Sequence, residues 1–340
     1  MMRRLFDLLS TQKLFFTLFI FAALLLAACS SEKGEQGSAR QFLSIGTAPP
    51  GGAFFVVGSS LAQVIGDNAA SLNLDWQVTT EATKGTQENI RRLDFGELDF
   101  ALANAAITYF AVRGQGDWEK AYGMRSVMTL APNIALFITP KSSGIKTIAD
   151  LKGKRVVVGP AGAGFEYFVE PLLQAHDVTY SDFTPLNNTQ AGAVDMLADG
   201  SAAAAFLGGA VPTASITQAC ASQDIHFVPF DETTRQQLVA NYPFFEAASI
   251  PAETYRGQTE AFNGLNVGSM HFITSEKTDE EKVYQVTKLL YEYREQVAAK
   301  HPAGKAINPK NVVKDTGTPF HPGAIRYYRE IGIWPEADAQ

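Results

Sequence analysis

Three glycine-bearing loops hold most of the chemistry open to this sequence. They are Thr47-Ala48-Pro49-Pro50-Gly51-Gly52-Ala53-Phe54, Lys84-Gly85-Thr86 and Gly159-Pro160-Ala161-Gly162-Ala163-Gly164-Phe165. Each precedes a stretch of helical periodicity, so each would turn backbone N–H groups and the positive end of a helix dipole toward an anion. Glycine lets the backbone come close to such a ligand with no Cβ in the way. None fits GxxxxGK[ST], which excludes a P-loop, and none fits GxGxxG followed by an acid about twenty residues later. One such loop alone reads as a turn; three at strand ends read as a ligand cradle. Asn104 and the pair Gly208-Gly209 end two further predicted strands and join the candidate site.

Catalytic groupings are missing. GxSxG does not occur, so a hydrolase elbow has no support. Asp94, Glu97 and Asp99 cluster around Gly96 in the manner of a solvated helix end. His176, His226, His271, His301 and His321 stand singly, so no metal-ligand pair can be read from spacing. Among them His226 reads as a core residue of an apolar strand, and His321 sits in a proline-bounded turn. Cys29 and Cys220 have no CxxC spacing, and Cys220 reads as a small buried residue on a helix. The expectation is a binding protein, not an enzyme, with neither cofactor nor metal.

The elements that would position these loops alternate. Phe42–Gly46 is a short apolar run, followed by a helix with Phe54, Val57, Leu61, Val64 and Ile65 on one face. Strands are expected at Asp75–Thr80, Asp99–Ala103 and Met128–Phe137, with a helix at Gln87–Leu93. A second series begins with the strand Arg155–Val158 and the helix Phe165–Gln174. It continues through a helix at Asn187–Asp199, strands at Ala203–Leu207, His226–Val228 and Asn266–Thr274, and a long helix at Asp279–Lys300. Two such βαβ halves facing each other across a cleft place a ligand beyond the carboxyl ends of the strands.

At 340 residues, about two domains of roughly 150 residues are expected. With 46% apolar and 19% charged residues the chain can bury a large core, and a formal charge of −7 without a basic stripe argues against nucleic acid. Arg3, Arg4 and Lys13 precede the apolar run Leu14–Ala28, the layout of a secretory signal peptide. Residues 1–28 hold three basic side chains and one acidic one, so their removal takes the formal charge from −7 to −9. Leu26-Ala27-Ala28-Cys29 resembles a bacterial lipobox, which would place a lipid on Cys29. Ser30–Ala39 then reads as a flexible tether. The expected location is periplasmic or otherwise extracytoplasmic, anchored to a bacterial membrane.

Several segments taken together resemble the solute-binding subunits of TRAP transporters, in the TAXI branch. They are Ile45-Gly46-Thr47, Gly51-Gly52-Ala53-Phe54, Thr86-Gln87-Glu88-Asn89-Ile90, Gly96–Asn104, Leu151–Val156, Gly159–Gly164 and Pro319–Gly332. The resemblance implies a bilobal type II periplasmic-binding fold of two Rossmann-like α/β lobes joined by two crossovers. Residues 1–28 would be the signal peptide and 29–40 the tether. Lobe 1 would combine 40–133 with 270–340, and lobe 2 would be 137–265, with crossings near Asn133–Thr139 and Asn266–Thr274. It further implies a monomer that closes on glutamate, glutamine or a related C4–C5 acid and delivers it to a TRAP permease. Ligand contacts would come from Thr47, Gly51, Gly52, Ala53, Phe54, Lys84, Gly85, Thr86, Asn104, Ala163, Gly164, Phe165, Gly208 and Gly209. Phe54, Gly85-Thr86 and Ala163 depart from the residues that the family often carries there. The alternatives are an ABC-type binding lipoprotein for another small anion, and a periplasmic enzyme on the same fold.

The lipobox makes a direct prediction. Cys29→Ala should abolish incorporation of labelled fatty acid, and continued labelling of that variant would remove the anchor.

Overall fold

The computed structural model describes residues 40–50 and 52–336. The signal peptide, Cys29, most of the tether and Gly51 lie outside the described residues. The chain runs β1 (Gln41–Gly46), α1 (Ala53–Asn68), β2 (Trp76–Glu81), α2 (Thr86–Asp94), β3 (Phe100–Asn104), α3 (Ala105–Ala111) and β4 (Met124–Thr129). It then forms β5 (Ile134–Pro140), β6 (Arg155–Val157), α4 (Glu166–Gln174), β7 (Thr184–Leu186), α5 (Gln190–Ala198), β8 (Ala204–Gly209) and α6 (Ala214–Ser222). β9 (Ile225–Phe227), α7 (Glu232–Asn241), β10 (Phe245–Ile250), β11 (Phe262–Val267) and β12 (Met270–Ser275) follow. α8 (Glu280–Glu292), α9 (Arg294–Lys300) and α10 (Pro322–Glu330) complete it.

The strands form two sheets. The first has the order β2-β1-β3-β12-β4 and the second β10-β11-β5-β8-β6-β7, with β9 pairing β5. β1 runs parallel to β2 and β3, whereas β12 is antiparallel to both of its neighbours. All five residues of β3 are buried, as a central strand covered on both faces requires. α8 meets the first sheet through Val283, Val286, Leu289 and Leu290, spaced at three to four residues.

The chain passes between the sheets twice, at residues 130–133 and at 268–269, and the two passages lie side by side. Leu130 N donates to Met270 O at 2.8 Å, Met270 N to Ala131 O at 2.9 Å, and Val267 N to Asn133 O at 2.9 Å. These passages divide two runs that the sequence reading takes as single strands. Met128–Phe137 becomes the end of β4 and the start of β5, with Pro132 between them. Asn266–Thr274 becomes β11 and β12, broken at Gly268, which has φ +109° and lies where a Cβ would sit 2.5 Å from Asn104 Oδ1. Asp279–Lys300 divides at Tyr293, whose φ −99° and ψ 22° leave the helical range. The helix expected from Asn187 begins at Gln190, because Thr189 caps it through its hydroxyl, which accepts from Gly192 N at 3.1 Å.

One carboxamide ties the second crossing to the end of β3 and the start of α3. Asn104 Oδ1 accepts from Ala106 N (2.8 Å) and Ile107 N (3.4 Å), capping α3, while its Nδ2 donates to Gly268 O at 2.9 Å. Asn104→Ala removes the cap and leaves buried backbone groups unpaired. It should lower the unfolding free energy by about 2 kcal/mol, read from the denaturant midpoint.

Candidate functional site

A cavity of about 90 Å³ lies between the lobes and is lined from both of them. The first lobe supplies Pro49, Pro50, Gly52, Ala53 and Phe54 at the start of α1, and Lys84, Gly85 and Thr86 at the start of α2. The second lobe supplies Ala163 and Phe165 before α4, and Thr189, Gln190 and Ala191 at the start of α5. Four helices thus begin at one small space. The first amides of each have no acceptor within their own helix, and each start carries roughly half a positive charge.

The loop after β1 is held by residues beneath the cavity. Thr47 is fully buried; its N–H and its hydroxyl both donate to Glu81 O, at 2.9 and 2.8 Å. Its carbonyl accepts from Asn89 Nδ2 at 2.7 Å and from the Thr83 hydroxyl at 3.1 Å. Asn89 Nδ2 also donates to Leu102 O at 2.8 Å, fastening the loop to β3.

Among the fourteen residues expected to bind a ligand, the cavity brings together Gly52, Ala53, Phe54, Lys84, Gly85, Thr86, Asn104, Ala163, Phe165 and Gly208. Thr47, Gly164 and Gly209 are not in the lining, and Gly51 falls outside the described residues. Thr47 is an anchor of the loop, its hydroxyl already donating. Asn104 reaches the cavity wall, but its amide atoms bond to backbone on both sides. Gly164 lies against the first lobe, with φ +89° and a Cβ position 2.9 Å from Gln87 Cγ and 3.0 Å from Ile107 Cδ1. Thr86 differs from these: its oxygen accepts from Asn104 N at 3.0 Å, and its own proton is left for the cavity.

Sequence reading missed two polar contributors. Asn133 stands in the first crossing; its N–H donates to Asn266 Oδ1 at 3.0 Å, and its side-chain amide has no protein partner among the described residues. Gln190 clamps Gly208, donating to its carbonyl at 2.8 Å and accepting from its N–H at 3.3 Å, and takes a further bond from the Ser215 hydroxyl at 2.8 Å. The hydroxyl cap in Asn188-Thr189-Gln190 was the available signal for a fourth helix start. The rest of the wall is apolar: Ile107, Ala135, Phe54, Phe165, Phe168 and Phe206. Phe168 packs on Phe165 and Phe206 at centroid distances of 5.0 and 5.9 Å.

Among the described residues, Lys84 is the only charged one in the lining. Among the described residues no group of His, Cys, Asp or Glu could hold a metal ion. Cys220 is buried on α6 and its thiol is pushed up to about 11 by burial, so it stays protonated and unreactive. His271, fully buried next to Thr108 (Nε2 to Oγ1, 2.9 Å), is pushed down to about 3 by burial and stays neutral.

Comparison with known proteins gives the chain a family. Residues 45–332 match the model of the NMT1-like family, and the chain belongs to that family. The TAXI-branch assignment, and with it the TRAP permease, is corrected by this match; strand, glycine loop and helix in that order belong to a wider architecture than the TAXI motifs suggested. Three solved structures share the fold. PhnD1 from Prochlorococcus marinus, solved with methylphosphonate, has TM-score 0.53 and 10% identity, over 85% of this chain and 95% of that one. A protein from Bordetella bronchiseptica has TM-score 0.53 and 14% identity, over 88% and 91%. A binding-protein component of an ABC phosphonate transporter from Pseudomonas aeruginosa has TM-score 0.50 and 14% identity, over 76% and 78%. The architecture is the two-lobed α/β fold of periplasmic binding proteins. The neighbours with a stated role are binding proteins, not enzymes.

The position of Gly164 yields a test of closure. Gly164→Ala strains a left-handed backbone and inserts a methyl between the lobes, so small-angle scattering should show a larger radius of gyration than in the unsubstituted protein.

Proposed function

We propose that this member of the NMT1-like family is an extracytoplasmic receptor that closes on a small anion with an apolar group and passes it to an ABC-type transporter. The phosphonate and sulfonate class fits best. The convergence of four helix starts on one apolar cavity with a single lysine supports this reading most. Backbone N–H groups at helix starts suit a compact tetrahedral oxyanion. The phenylalanine wall suits a short carbon substituent, which would otherwise have to stay in water.

The expectation of glutamate gives way here. The cavity is smaller than the roughly 150 Å³ that admits benzene. Among the described residues its lining has no carboxylate to receive an ammonium group, and an unpaired buried charge is prohibitive. Donors proposed for the anion are the amides of Ala53, Phe54, Gln190 and Ala191, the Thr86 hydroxyl, the Asn133 amide and Lys84. Two lobes bounded as 40–133 with 270–340 and as 137–265, a monomeric state, and a lipid on Cys29 complete the proposal. The separate sheets of β1–β4 with β12, and of β5–β11, support that division.

Calorimetry with methylphosphonate, methanesulfonate and glutamate tests it. One of the first two should bind with a Kd near micromolar, about −8 kcal/mol, and glutamate should give no heat. Thr86→Ala should weaken that binding by about 1–2 kcal/mol without changing stability by as much. Glutamate binding in the absence of both small anions' binding would overturn the assignment.

A further inference from the structure

The lobes also meet outside the cavity, where acidic and aromatic side chains come together. Glu166 opens α4 in the second lobe, and Gln87 of α2 donates to it across the gap, Nε2 to Oε1 at 3.3 Å. Beside this bond Asp117 N, from the first lobe, donates to the Tyr167 hydroxyl at 3.2 Å. The Tyr167 ring stacks on Trp118 at a centroid distance of 5.9 Å and lies 5.4 Å from Phe110, both of the first lobe. Gly116 comes so near that a Cβ there would lie 2.6 Å from the Tyr167 ring. A space of about 270 Å³ is left between them, walled by Asp117 from one lobe and by Glu166 and Glu170 from the other, with no basic residue in its lining among the described residues.

A carboxylate taken from water into such a place loses hydration and acquires like charges as neighbours. Burial is the largest influence on Glu166 and raises its pKa above the ordinary 4.5; Asp117 and Glu170 add to the rise. Its own backbone N–H and the Gln87 amide oppose it in part. Tyr167 on α4 and Tyr180 also feel its charge, and Arg91, one turn along α2 from Gln87, brings a guanidinium 5.2 Å over the Trp118 ring. When the first lobe swings away, Asp117, Gln87 and Trp118 leave with it and water returns to Glu166.

We propose that closing the cleft traps a proton on Glu166, so that this protein closes more readily as the medium becomes more acidic. The inference rests on the cleft-closing reading above. Its sign follows from linkage: the closed form holds more protons than the open one between pH 4.5 and the raised value. The gain in closure is complete below that window and is lost as the pH rises through the raised value. Acid therefore tightens the hold on a cargo, and a more alkaline medium loosens it.

The purified full chain without any ligand tests this, by small-angle scattering and tryptophan emission from pH 8 to pH 4, with circular dichroism to confirm folding. Wild type should become more compact and shift its emission on acidification. Glu166→Gln should be compact throughout, with no pH step. Asp117→Asn should retain the step and move it to lower pH, and it decides the matter alone if the Glu166 variant fails to fold. A wild-type chain that scatters identically at both ends, a Glu166→Gln chain with the wild-type step, or an Asp117→Asn chain with an unmoved step would overturn the proposal. With no ligand in the cell, a failure of the small-anion assays leaves this measurement intact, and the reverse holds as well.

Discussion

The side-chain amide of Asn104 joins three parts that must stay together for a cleft to exist: the end of β3, the start of α3 and the second crossing at Gly268. Its backbone N–H donates to the Thr86 hydroxyl, so the start of α2 is fixed to the same point. At 3% exposure nothing but protein can satisfy that amide, and each of its bonds is costly to lose. Gly268 is required by the same contact, since a side chain there would collide with the amide. The pivot between the lobes thus stands directly against the wall of the cavity. A small shift of the crossing moves the helix starts that face each other.

Charge around the cavity comes from helix starts more than from side chains. Four helix ends supply fractional positive charge from rigid elements, and one lysine supplies a full one. Such a field falls off within a turn of each helix, which is why the proposed ligand is a compact anion and not an extended dicarboxylate. Around it the aromatic wall excludes water, which strengthens every remaining dipole. On the proposed reading, selectivity would rest on size and on the lack of acceptors as much as on attraction.

Much of the architecture was legible in the sequence, because loops with glycine between an apolar strand and a periodic helix leave a strong local pattern. Lys84-Gly85-Thr86 and Gly52-Ala53-Phe54 reach the cavity for that reason. What was not legible depends on partners far along the chain. Thr47 and Asn104 have side chains suited to a ligand, yet residues 34 and 164 positions away occupy them. Asn133 was hidden in an apolar run that looked like one strand, and only the change of sheet at Pro132 exposes its amide. The TAXI resemblance failed at the level of family for a related cause: its motifs mark helix starts, and helix starts recur wherever two such lobes face each other.

The strand order has a consequence for the time course of folding. β12 sits inside the first sheet, between β3 and the edge strand β4, yet it follows every strand of the second. A chain emerging from its N-terminus can complete the second lobe while the first still has a vacant inner slot flanked by two apolar strands. Contacts of such long sequence separation form slowly. The first lobe is therefore the later to consolidate, although it is the earlier to be synthesised. A polypeptide that must thread through a membrane before folding gains from that order: its leading half cannot lock prematurely into a finished domain.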